Sequence, residues 1–148
     1  MATLFTEIYD LAMVEIRDYQ LDQLYVSSVP DFNSFMAGFL NRAIPKFDYC
    51  LKDLTDRDLT QFNPTLNDKE KDILATLLSI SWFTSKVQDV TQFQLHLNDT
   101  DFKHYAEGQN LKEKSVHLDK LREKVKQDMT DYGLTNTDWT VYGNGDFS

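Results

Sequence analysis

The chain is short of cysteine, proline, glycine and basic charge, and each shortage closes off a class of protein. Its single cysteine, Cys50, has no partner for an intramolecular disulfide, so the fold rests on a packed core. That suits a reducing cytoplasm, with Cys50 as a buried spectator thiol. Three prolines and five glycines in 148 residues leave few places where a helix must stop, and exclude collagen-like or low-complexity character. Fifteen Lys and Arg face twenty-four Asp and Glu, a formal charge of -9. A surface gripping nucleic acid needs clustered cations, so specific DNA binding is not expected. No run approaches the ~18 apolar residues of a membrane span. The start, Met1-Ala2-Thr3-Leu4-Phe5-Thr6-Glu7, lacks the basic stretch of a signal peptide, so the protein is expected to stay where it is made.

What the chain has is ample apolar material, 41% of its residues with 13% aromatic, enough for one real core in one domain. From Thr3 to about Tyr19, Leu4, Ile8, Leu11, Ala12, Ile16 and Tyr19 recur at three and four, while Glu7, Asp10, Glu15 and Asp18 take the other face. This predicts an amphipathic helix with Thr3 as its cap. Ser27-Ser28-Val29-Pro30-Asp31 starts a second helix running to about Ala43. Its inner face is Phe32, Phe35, Met36, Phe39, Leu40 and Ala43; Gly38 marks close approach of a neighbour, and Pro45 ends the helix. Phe47 to Leu51 suggests a short helical turn, and Lys52 to Leu66 an irregular connector. Asn67-Asp68-Lys69-Glu70 has the form of a capping box. The helix it opens carries Ile73, Leu74, Leu77, Leu78, Ile80, Trp82 and Phe83 on two sides, which makes it the central one.

Around Phe93, Leu95 and Leu97 the period drops to two, which predicts an extended crossing and a break between Gln92 and Asp99. Helical spacing resumes at Asp101 and meets Gly108-Gln109-Asn110, where a kink and a fresh start capped by Asn110 stay open. Leu111, Leu118, Leu121, Val125, Met129 and Tyr132 then form a narrow stripe on a long charged helix, closed by Gly133 as a left-handed cap with Leu134 after it. The expectation is an all-α fold: a small bundle of about four main helices over residues 1–133, followed by an extended C-terminal arm over 134–148. Leu4, Ile8, Leu11, Phe35, Phe39, Leu77, Phe83, Leu118, Leu121 and Val125 form the helical core. The arm mixes turn formers with Trp139, Tyr142 and Phe147, a composition suited either to docking in a neighbour's pockets or to folding back on its own helices.

Nothing in the chain has the pattern of a catalytic centre. His96, His104 and His117 share no compact ligand spacing, so no metal or other cofactor is expected. Glu113 with His117 and Asp101 with His104 make solvated helix-face pairs. No glycine loop or nucleophile elbow occurs, and the acids of the first helix have no evident cleft to perturb one of them. The mixed charges from Lys112 to Lys126 fit either a solvated face or a face that meets another copy.

Leu4-Phe5-Thr6-Glu7-Ile8-Tyr9-Asp10-Leu11-Ala12, Phe35-Met36-Ala37-Gly38-Phe39-Leu40, and Gln88-Asp89-Val90-Thr91-Gln92-Phe93 running into Asn110-Leu111-Lys112-Glu113-Lys114 together resemble the small helical head-to-tail connector proteins of tailed bacteriophages, also called adaptor or neck proteins. The resemblance runs to about Gly133 in element order and texture, without a ligand motif. It implies a homo-oligomeric ring, typically a dodecamer, beneath the portal protein, contacting further neck or tail proteins and extending the channel through which DNA leaves without specific binding. The protein would be assembled in the host cytoplasm and reside in the virion neck, and Trp139, Tyr142 and Phe147 would anchor a terminal arm. An acidic channel wall lets a polyanion pass. The competing expectation is a small acidic helical regulator or inhibitor that binds one host protein one to one.

Overall fold

A computed structural model describes residues 2–96 and 101–135, with side chains over 2–88 and 112–135. Among the described residues the fold is all-α, with five α-helices and a minimal two-stranded sheet. In order these are β1 (Thr3–Leu4), α1 (Phe5–Glu15), α2 (Tyr19–Ser27), α3 (Val29–Ala43), a 3-10 turn (Ile44–Lys46), β2 (Gln61–Phe62), α4 (Asp68–His96) and α5 (Asp101–Thr135).

The first helix begins later than its spacing suggested. Thr3 lies in β1, paired antiparallel with Phe62, and Leu4 pairs with Gln61. The buried Thr3 hydroxyl donates to the Pro64 carbonyl at 3.2 Å and accepts from Leu66 N–H at 2.9 Å, so it caps nothing. Leu4 takes the cap position, and its N–H donates to the Glu7 carboxylate at 2.9 Å. The buried stripe is therefore Phe5, Ile8, Tyr9, Ala12 and Ile16. Leu4, on the outward side of the strand, and Leu11, on the helix flank, are exposed, which corrects their assignment to the core. Tyr19 is exposed too and belongs to α2. Asp18 opens that helix by accepting from Leu21 N–H at 3.1 Å. Only Leu21 of α2 is buried, and so faint a stripe leaves no legible period.

Ser28 caps α3 by accepting from Asp31 N–H, with Pro30 in the first turn. Its buried stripe is Phe32, Met36, Leu40 and Ala43, with Phe39 half-buried against the core. Phe35 is 44% exposed, a second correction: it sits a helical step off the buried line and stacks edge-on against Phe39 at 5.1 Å. Gly38 has open space where a Cβ would stand, so no neighbour closes on it. The α ladder ends at Ala43 although Ile44 keeps helical angles. Pro45 has no N–H for the next rung, and a 3-10 turn takes over.

Residues 47–66 hold one strand and no helix, so the short helical turn expected near Phe47 is absent. The loop is tied by its own side chains. Asp53 accepts from the Thr55 N–H and hydroxyl, Asp58 from the amides of Thr60 and Gln61, and Asp56 from the Asn63 amide group. These bonds hold the exposed carboxyls of Asp53 and Asp58 below their ordinary range. Leu54, Phe62 and Leu66 pin the loop to the core.

The capping box forms as expected: Glu70 N–H donates to Asn67 Oδ1 and Asn67 N–H to Glu70 Oε1, both at 2.8 Å. Behind it α4 is buried without interruption from Ile73 to Phe83, Thr76, Ser79 and Ser81 included. Those three hydroxyls donate to carbonyls one turn back, so their burial leaves no orphan group. Touching α1, α3 and α5, α4 is the central helix. It is helical through His96, so the predicted extended crossing is not formed over Gln92 to His96; extending a helix is cheaper than ending it over so short an alternation. The rest of that break, residues 97–100, lies outside the described residues.

α5 is continuous through Gly108 and Asn110, so no fresh helix starts at Asn110; one glycine costs only about 1 kcal/mol in a long helix. Leu118, Leu121, Val125 and Tyr132 are buried and Met129 packs beside them. Gly133 is still helical, with the Tyr49 ring 3.8 Å from where a Cβ would stand. The helix runs to Thr135, so the expected arm boundary falls within its last turn.

Candidate interaction surface and a buried polar junction

Residues distant in sequence meet at one end of the α4–α5 pair. The Glu70 carboxylate is 1% exposed. One oxygen closes the capping box, and the other accepts from the Tyr132 hydroxyl at 2.8 Å and the Cys50 thiol at 3.4 Å. The Tyr132 oxygen in turn accepts from Leu51 N–H at 2.9 Å. The Phe47 ring packs edge-on against Tyr132 at 5.1 Å. Burial holds the Tyr132 hydroxyl far above its ordinary value and raises the Cys50 thiol, the neighbouring Glu70 charge adding to the latter. A thiol pushed upward is held as the weak nucleophile, not the thiolate. The cluster therefore acts as a structural junction that fastens the loop after α3 and the end of α5 to the start of α4. Sequence reading had placed Glu70 in its capping box and Tyr132 on its stripe, but no local signal joins positions this far apart.

Ion pairs line the same helices. Lys124 Nζ reaches Asp72 at 3.1 Å, Asp128 at 3.0 Å and the Thr76 hydroxyl at 3.1 Å, and Lys69 reaches Asp128 at 3.3 Å. Burial pushes the Asp128 carboxyl up, but the Lys124 and Lys69 bonds and charges outweigh it and leave it below the ordinary range. Lys71 meets Glu7 at 3.4 Å across α1 and α4. His117 lies 3.6 Å from Glu15 of α1 and edge-on to Phe83, so its neighbour is across the bundle and not Glu113. Part of the charged face of α5 is thus satisfied within the chain, while Lys112, Glu113, Lys120, Glu123 and Lys126 face solvent.

Among the described residues several large apolar side chains are exposed at identifiable points. Leu11 and Val14 lie one turn apart on α1; Tyr25, Val26 and Val29 flank the α2–α3 joint, with Val26 84% exposed; Phe35 adds to α3; and Leu59, 92% exposed, tips the loop before β2. Two grooves of about 450 and 580 Å³ run beside Leu59, sharing Phe5 and Ala37. A third cleft, about 450 Å³, is lined by Val14, Glu15, Arg17, Asp18, Trp82, Phe83, Lys114 and His117.

Of the expected core, Ile8, Leu77, Phe83, Leu118, Leu121 and Val125 are buried together. The arm residues Trp139, Tyr142 and Phe147, and the side chains of His96 and His104, lie outside the described residues. Among the described residues no three His, Cys, Asp or Glu side chains are grouped to hold a metal, and no helix is long and apolar enough to cross a membrane. No protein-family model matches the chain, and no curated protein or solved structure is significantly similar to it.

Proposed function

We propose that this chain is a structural virion protein: a head-to-tail connector of a tailed bacteriophage, whose copies form a ring beneath the portal and extend the DNA channel. The observation that carries the reading is a set of large apolar side chains exposed among the described residues: Leu11 and Val14 one turn apart on α1, Val26 and Val29 on either side of the α2–α3 joint, and Phe35 on α3. Apolar area of this kind marks protein–protein contact. Its distribution over separate faces suits a head-to-tail interface that closes under rotation, where one face of a copy meets a different face of the next. The net charge of -9 is compatible with a channel wall to which DNA does not adhere. The ring symmetry implied by the resemblance is a dodecamer, the partners are the portal and further neck or tail proteins, and the role is geometric, without catalysis or cofactor.

Peptide mass spectrometry of purified virus particles, before and after tails are stripped from capsids, tests this. The connector stays with the neck at low copy number. Absence from particles overturns the reading and favours a one-to-one regulator of a host protein.

A further inference from the structure

The groove of about 450 Å³ between α1 and α3 is lined without a single ionisable acid or base, in a chain of which 26% is charged. Phe5, Thr6 and Tyr9 on α1 and Asn33, Ser34 and Ala37 on α3 stand at the same i, i+1, i+4 spacing, and Leu59 with Thr60 adds the loop before β2. Tyr9 is 2% exposed, yet its hydroxyl makes no hydrogen bond among the described residues. The oxygen is not sealed from solvent either, so it opens on the groove that the ring lines. Burial pushes this phenol up to about 12, which keeps it an intact O–H donor at neutral pH. A donor so buried costs free energy until it meets an acceptor. The side chains of Thr6, Asn33 and Ser34 are likewise without a hydrogen bond among the described residues. The adjoining groove of about 580 Å³ shares Phe5, Ala37 and Leu59. Its two charges are engaged within the loop: Arg57 donates to the Leu54 carbonyl at 2.8 Å, and Asp58 accepts from the amides of Thr60 and Gln61.

This lining selects among ligands. The α1–α3 groove has no cation for a phosphate or carboxylate. Phe5 and Tyr9 are buried, so neither offers an open aromatic face on which a sugar ring stacks. A lipid chain would leave the hydroxyls and the Asn33 amide unmet. A peptide satisfies both sets of groups: a carbonyl for Tyr9, a C=O and N–H pair for Asn33, and an aliphatic side chain to cover Leu59, which is 92% exposed. A second copy has no such extended segment among the described residues. Its longest uncharged stretches, 23–30, 32–41 and 73–85, run through helices, and 59–67 begins in the wall of the groove itself. We propose that this groove binds an uncharged, extended segment of a partner protein, one aliphatic side chain seated against Ala37 and Leu59 and a backbone carbonyl accepting from the Tyr9 hydroxyl. The site goes beyond the ring reading and does not depend on it.

NMR titration of the nitrogen-15-labelled full chain with acetyl-Gly-Leu-Gly-amide tests it, taken to about 20 mM so that a millimolar complex is populated. The Asn33 side-chain amide and the backbone amides of Ala37 and Leu59 shift toward saturation, and acetyl-Gly-Asp-Gly-amide leaves them in place. Tyr9→Phe weakens binding of the leucine peptide roughly fivefold, as loss of one hydrogen bond does, and Leu59→Ser weakens it at least as much. Both variants keep the wild-type thermal midpoint at neutral pH, since the Tyr9 hydroxyl bonds nothing within the described residues and Leu59 is exposed. Groove resonances unmoved by the leucine peptide, equal shifts with the aspartate peptide, or undiminished binding by Tyr9→Phe overturns the proposal. So do groove resonances that move on dilution without peptide, which give the site to a second copy, and shifts at residues 136–148 on Tyr9→Phe, which give it to the chain's own end. Presence in particles decides the ring reading separately.

Discussion

Tyr132 uses both capacities of its hydroxyl, donating to Glu70 and accepting from Leu51 N–H. Tyr132→Phe removes the acceptor of the Leu51 amide and leaves the buried Glu70 oxygen with only the Cys50 thiol as donor, and is expected to destabilise by about 1–3 kcal/mol in urea unfolding. The mutant should keep the helical circular dichroism signal of the wild type. Burial also holds Tyr132 above the ordinary phenol value and pushes Tyr9 up to about 12. The unfolded chain therefore gives up these protons first as pH rises. The stability they confer is full below pH about 10 and is lost as pH climbs toward the folded values. Unfolding midpoints measured between pH 8 and 11 should fall above pH 10, and the fall should be smaller in Tyr9→Phe.

At the scale of elements, burial separates neighbours on one helix. Met36 is fully buried and the adjacent Phe35 is 44% exposed. Met36→Ala should cost roughly 2–5 kcal/mol, whereas Phe35→Ser should stay within about 1 kcal/mol by thermal melting, well below a core truncation. Equal costs would return Phe35 to the core. The helices whose stripes are strong, α3 and α4, were legible with their caps, because Ser28 and the Asn67–Glu70 box announce them locally. Weak or misleading stripes hid the rest: α2 buries one residue, α1 starts after a strand that only pairing with Phe62 creates, and α5 carries through Gly108 without a break. The candidate surfaces were legible only in inverted form. Leu4, Leu11 and Phe35 have core spacing, and spacing cannot say whether the face that completes a core belongs to the same copy. The Trp82 cleft had no sequence signal, since its lining comes from three helices.

At the scale of the whole molecule, the bundle and the arm should be separable. Deleting residues 136–148 leaves the junction at Tyr132 and the α4–α5 packing in place, so helical content and thermal midpoint should hold; under the connector proposal, attachment to the portal is lost. A truncated protein that still attaches would remove the arm from that role. The ion pairs of α5 to α4 are largely exposed and worth little singly, so raising salt should leave the bundle folded.

The β1–β2 pairing has a consequence for the order of synthesis. Thr3 is made some sixty positions before its partners, Phe62, Pro64 and Leu66, and the helix against which α1 packs most, α4, follows those. Until α4 has emerged, the apolar side of α1 has only α3 to cover part of it. The nascent chain thus carries a partly exposed α1 until α4 is out, and final closure waits for α5. Chaperone occupancy should accordingly be high on chains stalled before residue 68 and fall once α4 is out.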